Sequence, residues 1–519
     1  MMSVLKGEYA KGVKMGIRKN ITQIKALIKI LPGLIKGLMQ NTLAGYLVNA
    51  ANLRDASVYV KYWSLNWIFI LRLGLMLLVK KGPLGLVRVI LNSPWVLILL
   101  RVNGLCCRLA RGRSGIYLEA ICTTVHTITM TLEEQLEDIF LDHDNLVVNE
   151  DLVPTDIVRA MGLKAWLLEA MGILLPILAP EADLRYIDEA ENAGINPDAC
   201  SLPKATVGMV LKGHMPSGVA LVSSNMPCDA GAASYSLIQQ ELKVPIYRLD
   251  VPFNFYNERA EKHFAGDLKD MIAWLEENTP GRMDWKRLRE ICEGRNRMRE
   301  LELELWDLIR IRPAPLAGEA VILSHLWHFN LMPGHKTAIR HYENLVRLAK
   351  KNLEQGIPAT KNERYRAVLW NPPFCQFIDL LNWAERTYGL TLINDSMTYN
   401  RHRAIDTSTP DSMLLGLAST IMQGPMVRHT RGPAENYLDD IFRMYKQFDL
   451  DMVWIANHVG CKTGQAMNGI LRERCRAMKI PLLILDYDLL DNRIVSHEGM
   501  MNQVEHFMEN VMKAKRLDQ

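Results

Sequence analysis

The sequence predicts an α/β protein: two parallel-sheet lobes joined by helical elements, with an extra helical, basic N-terminal segment. Three observations carry this. From about Leu152, short apolar runs bounded by Pro, Gly and Asp alternate with helix-patterned stretches, the order that builds βαβ units. The alternation is interrupted by a charged helical stretch and then resumes. The first part of the chain instead shows helical periodicity with positive charge between the apolar positions. A chain of 519 residues is long enough for about three domains.

The N-terminal segment is assigned to residues 1–130. Ile17, Ile21, Ile24, Leu27, Ile28 and Leu31 recur at helical spacing, with Lys19, Lys25 and Lys29 between them. Up to Arg113, 18 Lys and Arg stand against only Glu8 and Asp55, a net +16, whereas the rest of the chain is −12. The two parts therefore face different partners, or each other. The apolar run Trp63–Val79 is 17 residues long and contains Asn66 and Arg72. A mid-span Arg costs about 2.5–3.5 kcal/mol on insertion, which favours a buried or interfacial helix over a true span. Lys61, Lys80 and Lys81, with Trp63, Trp67 and Trp95, keep peripheral membrane contact through residues 1–113 open.

The first lobe is assigned to residues 131–255, with ILLPILAP, GVALVSSNMP and VPIYRLDVP as strands and ASYSLIQQEL as a helix. Residues 256–362 are a helical connecting region that includes WKRLREICEGRNRMRELELELWDLIR. The second lobe, residues 363–519, takes its strands from YRAVLWNPP, LTLIND, LDMVWIANHVGC and IPLLILDYD. The closing helix, SHEGMMNQVEHFMENVMKAK, has an apolar face for docking on that lobe. There is no internal repeat.

Several chemistries lack their motifs. No G-x-x-x-x-G-K-[ST], no strand-borne G-x-G-x-x-G and no H-E-x-x-H occurs, so neither ATP hydrolysis nor NAD binding by this chain is expected. His325 and His328 make a weak metal pair without a nearby acid. The nine cysteines are scattered without C-x-x-C, which fits a reducing, cytoplasmic setting. The N-terminus lacks the pattern of a secretory signal. No nucleic-acid partner is expected.

Cys228 and Cys461 each follow an apolar strand-like run, one in each lobe, and Cys200 lies in a loop ahead of the Cys228 strand. Ligands collect at the carboxyl ends of strands in open parallel sheets. Three thiolates there are apt ligands for iron and sulfide, but buried thiols also pack as small apolar groups. Position alone leaves both open. Cys375 follows a strand too, while Cys106, Cys107, Cys122, Cys292 and Cys475 lie in helical texture and pack.

From about Val153 to the C-terminus, the stretches VPTDIVRAMG, AENAGINPDACSLPKATVG, SSNMPCDAGAASYS, PIYRLDVPF and ANHVGCKTGQAMNGILRERC resemble the 2-hydroxyacyl-CoA dehydratase and benzoyl-CoA reductase family, and in particular its D-component-like subunits. The resemblance implies two Rossmann- or flavodoxin-like lobes and a 4Fe-4S cluster held by Cys200, Cys228 and Cys461. It implies one-electron reduction of an acyl-CoA thioester, leading to an enoyl-CoA by dehydration or to a reduced aromatic ring. It further implies a homologous second subunit in a heterodimer and a separate ATP-dependent iron-sulfur activator. Two alternatives stand beside this: a non-catalytic electron-transfer or assembly subunit tethered by its basic N-terminus, and a cluster-dependent reductase of a small non-CoA substrate. Pro154, Thr155 and Asp156 depart from the family's PEE-type segment, and the first 110 or so residues have no counterpart in its common core.

Overall fold

Two four-stranded, all-parallel sheets form the lobes of the computed structural model, which describes residue 43 and residues 47–254, 256–325, 331–371, 374–399, 401 and 403–517. The first contains β1 (Leu146–Asn149), β2 (Lys164–Leu167), β3 (Ala220–Ser224) and β4 (Ile246–Leu249), in the order β2-β1-β3-β4. The second contains β5 (Tyr365–Trp370), β6 (Leu390–Asp395), β7 (Met452–His458) and β8 (Leu482–Tyr487), in the order β6-β5-β7-β8. The α/β class with two parallel-sheet lobes is thus as expected. The two orders are the same, although the halves show no repeat in sequence. β1, β3 and β7 are buried at every position, because a parallel sheet is covered on both faces. That is why the strands read as unbroken apolar runs.

One strand expectation is corrected. ILLPILAP lies largely in the helix Leu168–Leu178, with Pro176 inside it; the first sheet takes its two leading strands from LVVN and KAWL. An apolar run of this length fits a strand and a helix buried on all sides equally well. The two real strands, at four residues each, are too short to show a period.

The helices Glu258–Asn278, Trp285–Ile309 and Lys336–Glu354 lie between the two sheets in sequence. Two are capped as their sequences dictate, Asn257 accepting from the Ala260 amide and Asp284 from those of Lys286 and Arg287. Before the first sheet come the helices Leu53–Asn92, Val102–Ala110 and Gly115–Leu141. Their buried Tyr59, Phe69 and Cys122, with Trp95 between the first two helices, belong to the same apolar core as Leu146 and Trp370 of the two sheets. A second core, with Val147, Val222, Phe264, Leu288 and Leu417, fills the other face of the first sheet. The periodic residues Ile17 to Leu31 lie outside the described residues, as do His328 and the side chain of His325.

Candidate functional site

Each sheet reverses direction between its first and third strands in sequence, which makes β1/β3 and β5/β7 the switch points where α/β sheets open a crevice. Cys228 follows β3 and Cys461 follows β7, so the two thiols occupy corresponding places in the two lobes. Each is the residue immediately before a helix: Cys228 before Asp229–Leu242, Cys461 before Lys462–Met478. Cys200 stands in the same relation to the helix Ser201–Leu211.

All three are half-buried, and the protein brings them together. Cys200 lies within electrostatic reach of both Cys228 and Cys461, and Cys228 within reach of Cys461. Burial is the largest influence on each and pushes all three thiols up, Cys228 to about 11. Amide N–H groups of the helix first turns act in the opposite direction: Leu202 on Cys200, Ala230 and Gly231 on Cys228, Thr463 and Gly464 on Cys461. These belong to the amides that a helix start leaves without intrahelical partners, and they favour negative charge. The Gly464 N–H donates to the Cys461 Sγ at 3.4 Å.

The second lobe closes over the Cys200 loop. His458, at the end of β7, places its Nε2 3.1 Å from the Cys200 Sγ. Its Nδ1 accepts the Leu489 N–H at 3.1 Å, and burial holds the ring below its ordinary pKa. The proton of the neutral ring is therefore on Nε2, which donates to the sulfur. The Leu490 N–H donates to the Ser201 Oγ at 3.2 Å, a second tie between lobes. A Cβ at Gly460 would fall 2.8 Å from the Cys200 Cα and 2.9 Å from His458 Nε2, so this approach requires glycine. Asn371, just after β5, has φ of 72°, a conformation Asn tolerates better than most residues. It accepts from the Tyr437 hydroxyl at 3.1 Å.

Beside Cys228, at the ends of β1 and β2, three carboxyl groups gather. Glu150 accepts the Ser224 N–H at 2.5 Å and the Ser224 hydroxyl at 2.8 Å through one oxygen. Its other oxygen has no hydrogen-bond partner and lies against Gly231 of the Cys228 helix. Burial pushes Glu150 up to about 8, and raises Asp151 and Glu169 as well. Glu169 in turn acts on Cys228. The buried Tyr235 hydroxyl faces the same three carboxyls and has no hydrogen-bond partner. Carboxyl groups raised by burial beside Cys228 can store and deliver protons.

The remaining cysteines pack. Cys375 is in a turn after β5, buried and pushed up to about 12 by desolvation. Cys106 and Cys122 touch each other at 3.4 Å inside the helical core, and Cys292 and Cys475 are buried. His458 and the three carboxyls carry no motif that sequence reading can pick out. His458 has a weak local signal, three positions before Cys461 at a strand end; Glu150 and Asp151 have none, because β1 itself is not legible in the sequence.

Among the described residues, no group of three or more His, Cys, Asp or Glu is gathered closely enough to hold one metal ion. An iron-sulfur cluster has a different requirement, since each thiolate meets its own iron. Three soft thiols from three helix starts, each facing amide N–H groups, are donors of the kind that such a cluster takes.

The sequence model described as "2-hydroxyglutaryl-CoA dehydratase, D-component" matches residues 152–511. The chain belongs to that family. The dehydratase D-component match takes in all three cysteines and leaves the N-terminal helices outside. Among curated proteins, one of the subunits of the benzoyl-CoA reductase of Thauera aromatica is 23% identical over 354 residues, covering 63% of this chain and 79% of the relative. The alpha subunit of the (R)-2-hydroxyglutaryl-CoA dehydratase of Acidaminococcus fermentans is 24% identical over 27% of this chain and 30% of its own length. The alpha subunit of the lactoyl-CoA dehydratase of Anaerotignum propionicum is 24% identical over 27% and 38%. All three are named as parts of dehydratases or reductases of CoA thioesters.

Proposed function

We propose that this chain is the iron-sulfur subunit of an acyl-CoA dehydratase or reductase, with a 4Fe-4S cluster held by Cys200, Cys228 and Cys461. The observation that carries the proposal is the convergence of these thiols, from both lobes, at three helix starts. Bound there, a cluster with one iron free of protein ligands supplies single electrons and Lewis acidity towards a thioester carbonyl.

The chain's own residues do the rest. His458 donates to the Cys200 sulfur, and the helix-start amides face all three sulfurs; such hydrogen bonds set a cluster's potential and fix its ligands. Gly460, with no side chain, lets the second lobe approach the Cys200 loop closely. Expelling a hydroxyl group and reducing a ring both consume a proton. Glu150, Asp151 and Glu169, each raised by burial and gathered beside Cys228, are placed to give one and to take it back. An electron relay needs no such store, which favours the catalytic reading over the non-catalytic one. The names of the relatives, each one part of a larger enzyme, support a homologous partner. The missing phosphate-binding loop supports a separate ATP-dependent activator.

Anaerobic purification followed by iron and sulfide analysis tests the proposal. The wild type is expected to carry iron, sulfide and visible charge-transfer absorption, and Cys228→Ala to lose most of all three. A wild type without iron sinks the cluster; iron retained in the variant sinks the ligand assignment. Turnover of acyl-CoA thioesters with the activator and ATP then separates dehydration from ring reduction.

A further inference from the structure

The helix Leu53–Asn92 is apolar on both its inner and its outer face. Three polar groups on its inner face tie it to the protein: Asp55 accepts from the Gly115 N–H at 2.9 Å, the Tyr59 hydroxyl donates to the Ala110 carbonyl at 3.2 Å, and Asn66 donates to Asn103 at 3.0 Å. Asn66 also meets His126 at 3.0 Å. A second set of apolar side chains faces outward, along Val60, Ile68, Leu71, Leu75 and Val79 and, past the kink at Gly82, Leu84. Leu71, Leu75 and Val79 are 66%, 60% and 71% exposed. A surface helix in water carries polar side chains on its outer face instead. A contiguous exposed apolar face of this kind marks a contact surface.

The charge around the stripe says what covers it. Lys61, Lys80, Lys81 and Arg88 are exposed along it, and no acid occurs between Asp55 and Arg113. The one cation midway, Arg72, is paired with Glu133 of the neighbouring helix at 3.1 Å, so the middle of the stripe carries little net charge. The occupants that this chain itself could supply match the charge poorly. Residues 1–42 carry eight Lys and Arg against Glu8 alone, and would bring like charge to a basic border. A second copy would do the same. An anionic lipid surface offers negative headgroups to the lysines and acyl chains to the leucines.

We infer that this stripe seats the protein on an anionic lipid surface, with the helix lying in the interfacial plane. The helix is long and apolar enough to cross a membrane, but Tyr59, Tyr62, Phe69, Leu73 and Leu77 on its inner face are packed into the protein core. That packing leaves only the outer face for lipid. The inference is independent of the cysteine site, from which the stripe takes no residue.

Flotation of the full-length chain with vesicles tests it. At ~0.15 M salt, where surface charge still acts over about 8 Å, the protein is expected to float with phosphatidylcholine/phosphatidylglycerol vesicles and to stay down with phosphatidylcholine alone. Lys80→Glu with Lys81→Glu should weaken partition at least ~10-fold. Leu71→Gln, Leu75→Gln and Val79→Gln together should weaken it ~100-fold, with an unchanged thermal melt because all three side chains are exposed. Three results would overturn the inference: a wild type that stays down with both vesicles, a triple variant that floats as well as the wild type, or a wild-type dimer that the triple variant converts to monomer.

Discussion

At Glu150 the two carboxylate oxygens have opposite fates, one taking both donors of Ser224 and the other left without a partner beside the Cys228 helix. Burial outweighs the Ser224 bonds and raises the group to about 8. The folded protein therefore keeps a proton that the unfolded chain has released above its ordinary value of 4.5, so this group's contribution to stability falls as pH rises from about 5 to about 8. Glu150→Gln keeps an acceptor for Ser224 and removes the titration. Calorimetry should show a shallower decline of melting temperature across that window and, near pH 8, a gain on the order of 1 kcal/mol over the wild type. An identical slope in the variant would place the proton elsewhere. The sequence offered no access to this residue, since a carboxyl group becomes unusual only through the burial that tertiary packing imposes.

Among the elements, the short helix Thr155–Ala160 is anchored to the long helix Trp285–Ile309 by a two-pronged ion pair, Arg295 to Asp156 at 2.6 and 2.9 Å, with both side chains buried. Asp156 sits where the sequence departs from the family's paired-glutamate segment, and its carboxylate is committed to this structural pair. Asp156→Ala takes the two-pronged carboxylate away from a buried guanidinium and should cost about 3–5 kcal/mol, read from the denaturation midpoint. Replacing both partners, Asp156→Leu with Arg295→Met, should recover most of that loss. A single substitution that leaves the midpoint unchanged would show the pair to be incidental. The elements differ in how visible they were beforehand. β3, β5, β6, β7 and β8 announce themselves as apolar runs ending on Pro, Gly, Asp or Asn, whereas LVVN and KAWL are four residues each and ILLPILAP carries no polar face to distinguish helix from strand.

On the scale of the whole molecule, the N-terminal helices are locked to the connecting region and second lobe through Arg113. Its guanidinium is buried between Glu319 at 2.6 Å and Glu385 at 2.7 Å, and also donates to the Leu109 carbonyl. Arg113→Ala takes the cation away from the buried Glu319 and from Glu385 and should destabilise the protein by about 3–5 kcal/mol, with limited proteolysis releasing the segment before Gly115 sooner than in the wild type. Equal cleavage rates would mean that the shared apolar core alone holds the segment. By itself the sequence determined the α/β class, the ends of most strands and the placing of Cys228 and Cys461 just beyond two of them, because burial on both faces and turn chemistry are written locally. Only the tertiary structure decided that residues 200, 228 and 461 meet, since 233 residues separate the last two and their meeting depends on how one lobe closes on the other. It also decided which way the helix Leu53–Asn92 faces. Periodicity fixes that a helix has two sides, but what packs against it determines which of them is the inside.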